Sequence, residues 1–227
     1  MISWLIPTYQ TPVDYLHASI QSVIVELQPA DEIIILDDGS TDRESINCVE
    51  HYSELNPKIR LKRVANNLGV AKILNIGLEM VAGDIIARVD ADDWNVAGRI
   101  QKQLAWWKEH PADLIGGEMM CLYHDHTSHA KPDSGDYLST LRKFYPICYH
   151  PTWLIKTQTL ANLGGYPTTY PHAEDFALQC QMVREGMTFT NVPDIIVNKR
   201  QHKNRVSQKY HNIQTDSAKR ALRDILP

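Results

Sequence analysis

Asp90, Asp92 and Asp93 fall within four positions, directly after the apolar run Ile85-Ile86-Ala87. Carboxylates this close repel one another, and Asp is a poor strand former. Either the segment is a polar turn or something positive sits beside it. A second acidic pair, Asp37-Asp38, ends another apolar run, Ile33-Ile34-Ile35-Leu36. Hard cations such as Mg²⁺ and Mn²⁺ take oxygen ligands, often one or two carboxylates plus substrate phosphates. The two clusters together point to a divalent cation that in turn holds a diphosphate. "DDGS" alone is a common turn and helix cap, and a lone D-x-D is weak. The reading rests on having both, each at the end of a strand.

Strands that end side by side are needed to bring the clusters together. "ISWLI" reads as a strand ended by Pro7, and residues 13–27 as an amphipathic helix with Leu16, Ile20, Val23 and Leu27 at helical spacing. "EIIILD" reads as a strand buried on both faces, and the helix near 42–55 carries a Thr41-x-x-Glu44 capping box. "IRLKRV" is a strand nearer an edge, and residues 70–82 form a helix closed by Gly83. "DIIARVD" is the next strand and 96–109 the next helix. This alternation predicts a mostly parallel sheet flanked by helices, with ligands at the carboxyl ends of the strands. The pattern changes near residue 122. A polar segment over 124–136 reads as a loop or lid. A short helix, a Gly-Gly-Tyr-Pro turn, a helix from about Ala173, a strand pair over 188–199 and a helix from about Ser207 follow. The chain thus divides into 1–122, 123–206 and a basic C-terminal helix over 207–227.

At 227 residues and 25.9 kDa the chain can bury a sizeable core. A net charge of −4 argues against a general nucleic-acid binder. Cys48, Cys121, Cys148 and Cys180 are far apart and form no C-x-x-C pair, so they read as reduced thiols of a cytosolic protein. The N-terminal stretch lacks a basic leader, and no run of 18 apolar residues occurs, so membrane contact would be peripheral. No G-x-G-x-x-G or P-loop motif is present. Trp94, two positions after Asp92, departs from the strand-D-x-D pattern of haloacid-dehalogenase-type phosphatases.

The segments "WLIPTYQTP", "EIIILDDGSTD", "NNLGVAKILNIGL", "GDIIARVDADDW", "GGYP" and "AEDFALQCQMVREG" occur in this order from about residue 2 to about 208. The ordered set resembles glycosyltransferase family 2, whose members are inverting, nucleotide-sugar-dependent enzymes with the α/β GT-A fold. The resemblance implies a metal-dependent transfer from a UDP-sugar to a saccharide or lipid-linked acceptor, with Mn²⁺ or Mg²⁺ as cofactor. It assigns Pro7, Thr8, Tyr9, Asp38, Asn67, Arg88 and Asp90-Ala91-Asp92 to the nucleotide sugar, with Asp38 on the base and Asp92 on the metal. It assigns Asp175 as the base that deprotonates the acceptor, with Glu174 beside it. It implies that Arg200, His202 and Ser207 match a Y-R-x-H...S segment in which Lys199 replaces the usual aromatic. His202 would ligate the metal or contact the diphosphate. His150 and Trp153 fall where the acceptor pocket forms, and Trp153 would stack on a sugar or serve as core. The usual setting of short relatives is bacterial surface-polysaccharide or lipooligosaccharide synthesis, in the cytoplasm.

Two alternatives stay open in the sequence, a non-catalytic nucleotide-sugar-binding module and a sugar-phosphate nucleotidylyltransferase. The latter needs a Gly-rich, cationic loop after the first strand, and "PTYQTP" offers none. From Lys199 to the end, eight basic residues face two acidic ones, an excess of six positive charges. The tail reads as a contact for an anionic membrane surface, as a holder of a phosphorylated acceptor, or as a solvated helix face.

Overall fold

The computed structural model describes residues 1–133, 135–202 and 205–226, with only the backbone of Val206 and Ser207. Lys203, one of the eight basic residues of the tail, and the side chain of Ser207 lie outside the described residues.

The first half winds as read. Strands β1 (Ile2–Thr8), β2 (Glu32–Asp37), β3 (Ile59–Arg63) and β4 (Ile85–Arg88) are joined by helices α1 (Val13–Ile24), α2 (Arg43–Leu55) and α3 (Val70–Leu78). They pair in parallel in the order β3-β2-β1-β4, which leaves the mostly exposed β3 at the edge. Side chains alternate faces along a strand. Leu5, Ile34 and Leu36 therefore enter one core layer with Trp153 and Leu178, while Trp4, Ile6, Ile33 and Ile35 enter the other with Leu16 and Ile20. Burial on both faces is why β2 is an unbroken apolar run.

Pro7 lies inside β1 rather than ending it. Odd residues of β1 face β4, but that pairing stops at Leu5↔Arg88. The missing N–H of Pro7 therefore leaves no ladder position empty. Helix α2 is capped by Asp42, whose Oδ2 accepts from Ser45 N at 2.8 Å, not by Thr41. Helix α3 ends at Leu78, so Gly83 closes no helix. It packs on β1, where a Cβ would come within 2.8 Å of Met1 O and Ser3 N.

The second half departs more from the sequence reading. After β5 (Trp94–Asn95) and α4 (Arg99–Glu109), the unanticipated strand β6 (Leu114–Leu122) extends the sheet. The supposed loop after it holds β7 (Thr127–Ala130), a hairpin partner of β6. Next come α5 (Tyr137–Arg142), a 3₁₀ turn at His150–Thr152, β8 (Leu154–Lys156), α6 (Thr157–Asn162) and α7 (Glu174–Arg184). The expected strand pair over 188–199 is one strand, β9 (Phe189–Arg200), running parallel to β6 with register shifts near Glu118. Helices α8 (Val206–Lys209) and α9 (His211–Ile225) finish the chain. The full order is β3-β2-β1-β4-β8-β6-β9-β5, with β7 added on β6. This α/β architecture is the expected mostly parallel, helix-flanked sheet. All four cysteines are free and buried, and among the described residues no helix is long and apolar enough to cross a membrane.

Candidate active site

Strand β1 runs into Tyr9-Gln10-Thr11, and β2 runs into Asp38-Gly39-Ser40. Gln10 N donates to Ser40 Oγ at 2.9 Å and ties the two loops together. Gly39 sits at φ +80°, and any Cβ there would lie 2.7 Å from the Asn66 carbonyl carbon, so the turn requires glycine.

Of the first acidic pair only Asp38 lines the cleft that holds Asp90 and Asp92, and neither member joins the close carboxylate group of Asp90, Asp92 and Asp93. Asp37 is buried and accepts from Arg63 Nε at 2.8 Å, so it is neutralised within the sheet. Asp38 turns the other way. Its oxygens accept from Leu68 N at 2.7 Å, Gly69 N at 2.9 Å and Asn67 Nδ2 at 2.9 Å. Asp38 thereby fixes the entry to α3. A carboxylate offers about four lone-pair sites, so one remains for a ligand. Burial raises its pKa above the ordinary value against the pull of those amides.

The second cluster follows β4. Arg88 is buried; its Nη2 donates to Asp90 Oδ1 at 2.6 Å and its Nη1 to the Val89 carbonyl. Burial opposes the Asp90 charge, yet Arg88 and Lys199 overcome it and hold the carboxyl below its usual range. Asp92 Oδ2 lies 2.8 Å from His202 Nε2. Asp93 caps no helix, since α4 begins at Arg99 behind Gly98. It is buried, with Oδ1 accepting from Arg200 N at 2.8 Å and Oδ2 without a partner among the described residues. Burial and the neighbouring Asp90 push its pKa well up.

One oxygen from each of Asp90, Asp92 and Asp93 lies within 4.8 Å of the others, an arrangement that fits a hard divalent ion. The orphaned Asp93 Oδ2 is the specific sign that this group is incomplete. His202 is not part of this trio but pairs with one member, Asp92. The positive charges sought in the sequence are in part the protein's own: Arg88, Lys199 and Arg200.

Two cavities meet at this loop. One, of about 310 Å³, is lined by Pro7, Thr8, Tyr9, Asp38, Asn67, Arg88, Asp90, Ala91, Asp92 and His202. Every residue assigned above to the nucleotide sugar or the metal therefore lies on one cleft. The other, of about 320 Å³, is lined by His150, Glu174, Asp175 and Lys199 and shares Arg88, Asp90, Asp92, His172 and Arg205 with the first. Trp153 lines neither. It is wholly buried, with Nε1 donating to the Cys148 carbonyl at 3.1 Å. This corrects its assignment to the acceptor pocket: the ring packs behind His150, with centroids 4.6 Å apart.

His150 Nε2 lies 3.1 Å from Tyr166 Oη, and burial, reinforced by Arg88, pushes its pKa well below the ordinary value. It is a neutral, fixed ring. Glu174 and Asp175 open α7, where the helix dipole favours negative charge. Glu174 is buried, and burial together with Asp175 raises its pKa to about 8. Asp175 is less enclosed; Phe176 N donates to its Oδ1 at 2.8 Å, and burial raises its pKa above the ordinary value against that bond. With its pKa near 8, Glu174 holds its proton near neutral pH, and the Asp175 carboxyl stands beside it on the same cavity wall.

The Glu174 environment carries a stability prediction. A carboxyl raised in the folded state binds its proton more tightly there than in the unfolded chain. Its contribution is full below the ordinary pKa of 4.5 and fades as pH rises through about 8. Glu174→Gln keeps the neutral shape at all pH. Melting curves should find it at least about 3 °C more stable, relative to wild type, at pH 9 than at pH 5. Parallel profiles would mean that Glu174 titrates normally.

Two site residues escaped the sequence reading. Arg205 was counted with the basic tail, yet it borders both cavities, with Nε donating to the His202 carbonyl at 3.3 Å. Lys199 was read as a departure from an aromatic and as the first charge of the basic tail. Its place on the cavity wall follows from β9 pairing with β5, immediately after the acidic loop.

Solved chains of known proteins have this fold. The Staphylococcus aureus protein TarS, residues 1–349 in complex with UDP-GlcNAc, superposes with a TM-score of 0.73 at 19% identity over 90% of this chain and 59% of that one. A mannosyltransferase from Pyrobaculum calidifontis, in complex with GDP-Man and Mn²⁺, matches with a TM-score of 0.69 at 19% identity over 94% of this chain and 60% of that one. This chain thus spans less than two thirds of either solved chain. In sequence, an amylovoran biosynthesis glycosyltransferase of Erwinia amylovora is 24% identical over 92% of this chain and 79% of its own length. The model of the family described as "Glycosyl transferase family 2" matches residues 3–161, more than half of the sequence. With its GT-A architecture and that match, the chain belongs to glycosyltransferase family 2.

Proposed function

We propose that this chain transfers a sugar, with inversion, from a nucleoside diphosphate donor to a hydroxyl of a saccharide or lipid-linked acceptor. The observation that carries the reading is the meeting of two cavities at Arg88, Asp90 and Asp92, with Asp175 on the wall of the second. The first suits the nucleotide: Asp38 keeps one acceptor site for the base, and Thr8 and Tyr9 line the approach. A UDP-sugar is the first donor to test, since TarS was solved with UDP-GlcNAc, while the GDP-Man of the archaeal mannosyltransferase is the rival. A divalent cation held at Asp92, with Asp90 and Asp93 beside it, supplies Lewis-acid stabilisation of the departing diphosphate. Mn²⁺ is the ion in the mannosyltransferase complex.

Asp175 receives the acceptor proton as the acceptor oxygen bonds to the anomeric carbon. The bond from that carbon to the diphosphate oxygen breaks, and its electron pair leaves with the nucleotide. Protonated Glu174 adds no like charge beside Asp175, and neutral His150 adds no counter-charge that would weaken it as a base. The Erwinia relative is named for amylovoran biosynthesis, and an Escherichia coli relative for O-antigen biosynthesis, which supports a bacterial polysaccharide pathway as the setting of this chain. Exposed Lys219, Arg220 and Arg223 on α9 are available to an anionic membrane surface.

UDP release from a panel of UDP-sugars, measured with and without an oligosaccharide or lipid-linked acceptor, tests the reading. Acceptor should raise release at least about tenfold over donor hydrolysis. Tight donor binding with no release under any condition would favour a binding module instead.

A further inference from the structure

The cations of the site are not equivalent. Arg88 is committed to Asp90 and the Val89 carbonyl. Arg200 lies over the rings of Tyr15 and Trp94, 4.0 and 4.7 Å from their centroids, with Nε on the Asp92 carbonyl. His202 is paired with Asp92, and Arg205 Nε with the His202 carbonyl. Lys199 differs. Its ammonium has no ion pair or hydrogen bond among the described residues, although the residue is half-buried and lines the cavity that holds Asp90, Asp92 and Asp175.

The backbone explains this placement. Arg200 N is fixed to Asp93 Oδ1, and β5 pairs Trp94 with Asn198, so the end of β9 is pinned beside the acidic loop. Adjacent strand residues face opposite ways. Arg200 therefore turns to Tyr15 and Trp94, and Lys199 turns to the cavity. A lysine side chain is an ammonium at neutral pH, and this one shares its cavity with the carboxylates of Asp90 and Asp92. An unpaired cationic donor in a cavity beside a diphosphate site is suited to take a phosphate oxygen.

We propose that Lys199 is a second cation of the donor site, whose ammonium binds the distal phosphate of the nucleoside diphosphate. The inference rests on the transferase reading above, because that reading puts a diphosphate at Arg88 and Asp92. It differs from the metal assignment in requiring no metal. Lys199 faces the sugar-side cavity, so it should meet the phosphate that carries the sugar and not the phosphate next to the nucleoside.

Calorimetry in excess EDTA separates these possibilities, with inorganic pyrophosphate, UDP and UMP as probes. Wild type should bind pyrophosphate and UDP weakly without metal. Lys199→Met should weaken both about tenfold or more and leave UMP unchanged. Lys199→Arg should restore most of the loss. If Lys199→Met melts uncooperatively, Lys199→Gln is held to the same criterion. Equal affinities in wild type and variant, or an equal loss for UMP, would overturn the proposal, as would a wild type that binds no pyrophosphate. Lys199-dependent pyrophosphate binding without turnover of any nucleotide sugar would leave the cation standing and remove the transferase reading. Turnover with Lys199-independent pyrophosphate binding would do the reverse.

Discussion

Asp175→Asn should transfer sugar at least about a hundredfold more slowly than wild type while still binding UDP and Mn²⁺. The substitution keeps size and polarity but cannot take a proton at neutral pH. General-base catalysis contributes a factor of roughly 10²–10⁴, or about 3–5 kcal/mol of barrier. The Phe176 N–H that now meets Asp175 Oδ1 can still donate to the amide oxygen, so α7 should open as before. The pH profile should change as well. Burial raises the Asp175 pKa, so the wild-type rate climbs with pH as the carboxyl loses its proton. That rising limb should vanish in the variant. Near wild-type turnover would move the base elsewhere. Glu174 and His150 line the same cavity, but one is protonated and the other is held neutral by burial and tied to Tyr166.

Asp92→Ala should fail differently, by losing metal-dependent donor binding together with transfer. Asp92 is one of three carboxylates whose oxygens lie within 4.8 Å of one another, and His202 pairs with it. Removing it leaves Asp90 committed to Arg88 and Asp93 deeply buried, a poor remaining pair for a hard cation. Mn²⁺ should then no longer strengthen UDP binding, and the loss of transfer should reach about a hundredfold or more. Excess EDTA should have the same effect on wild type, reversed by Mn²⁺ or Mg²⁺. Full transfer in EDTA would remove the metal from the account. Residual diphosphate binding in EDTA would not, since Lys199 needs no metal for that contact.

The doubly buried strands of the first half were legible because their patterns are local. The run "EIIILD" reads directly as β2, and the ends of β1, β2 and β4 place Thr8, Asp38 and Asp90 on one edge of the sheet. The second half was less legible because its order is set by distant pairing. Strand β6 begins "LIGG", where glycines hide the strand pattern, yet a Cβ at Gly117 would meet Ile196 at 2.6 Å, so the spacing belongs to the β6–β9 contact. Nothing local to 188–200 tells one strand from a hairpin; pairing with β6 decides it. Burial was equally hidden. Trp153 looks like a sugar-stacking ring in sequence, and only packing against Tyr166 and His150 makes it core. Asp37 and Asp38 are neighbours with opposite fates because side chains alternate across the strand end. One meets Arg63 and the other the α3 entry.

A crystal structure of the chain with UDP and Mn²⁺ tests the central claim most directly, because Mn²⁺ is located by its anomalous scattering. The account predicts one strong anomalous peak within bonding distance of an Asp92 carboxylate oxygen, the base beside Asp38, and the distal phosphate within reach of Lys199. UDP bound outside the cleft between Thr8 and Arg88, or Mn²⁺ bound away from Asp92, would contradict it.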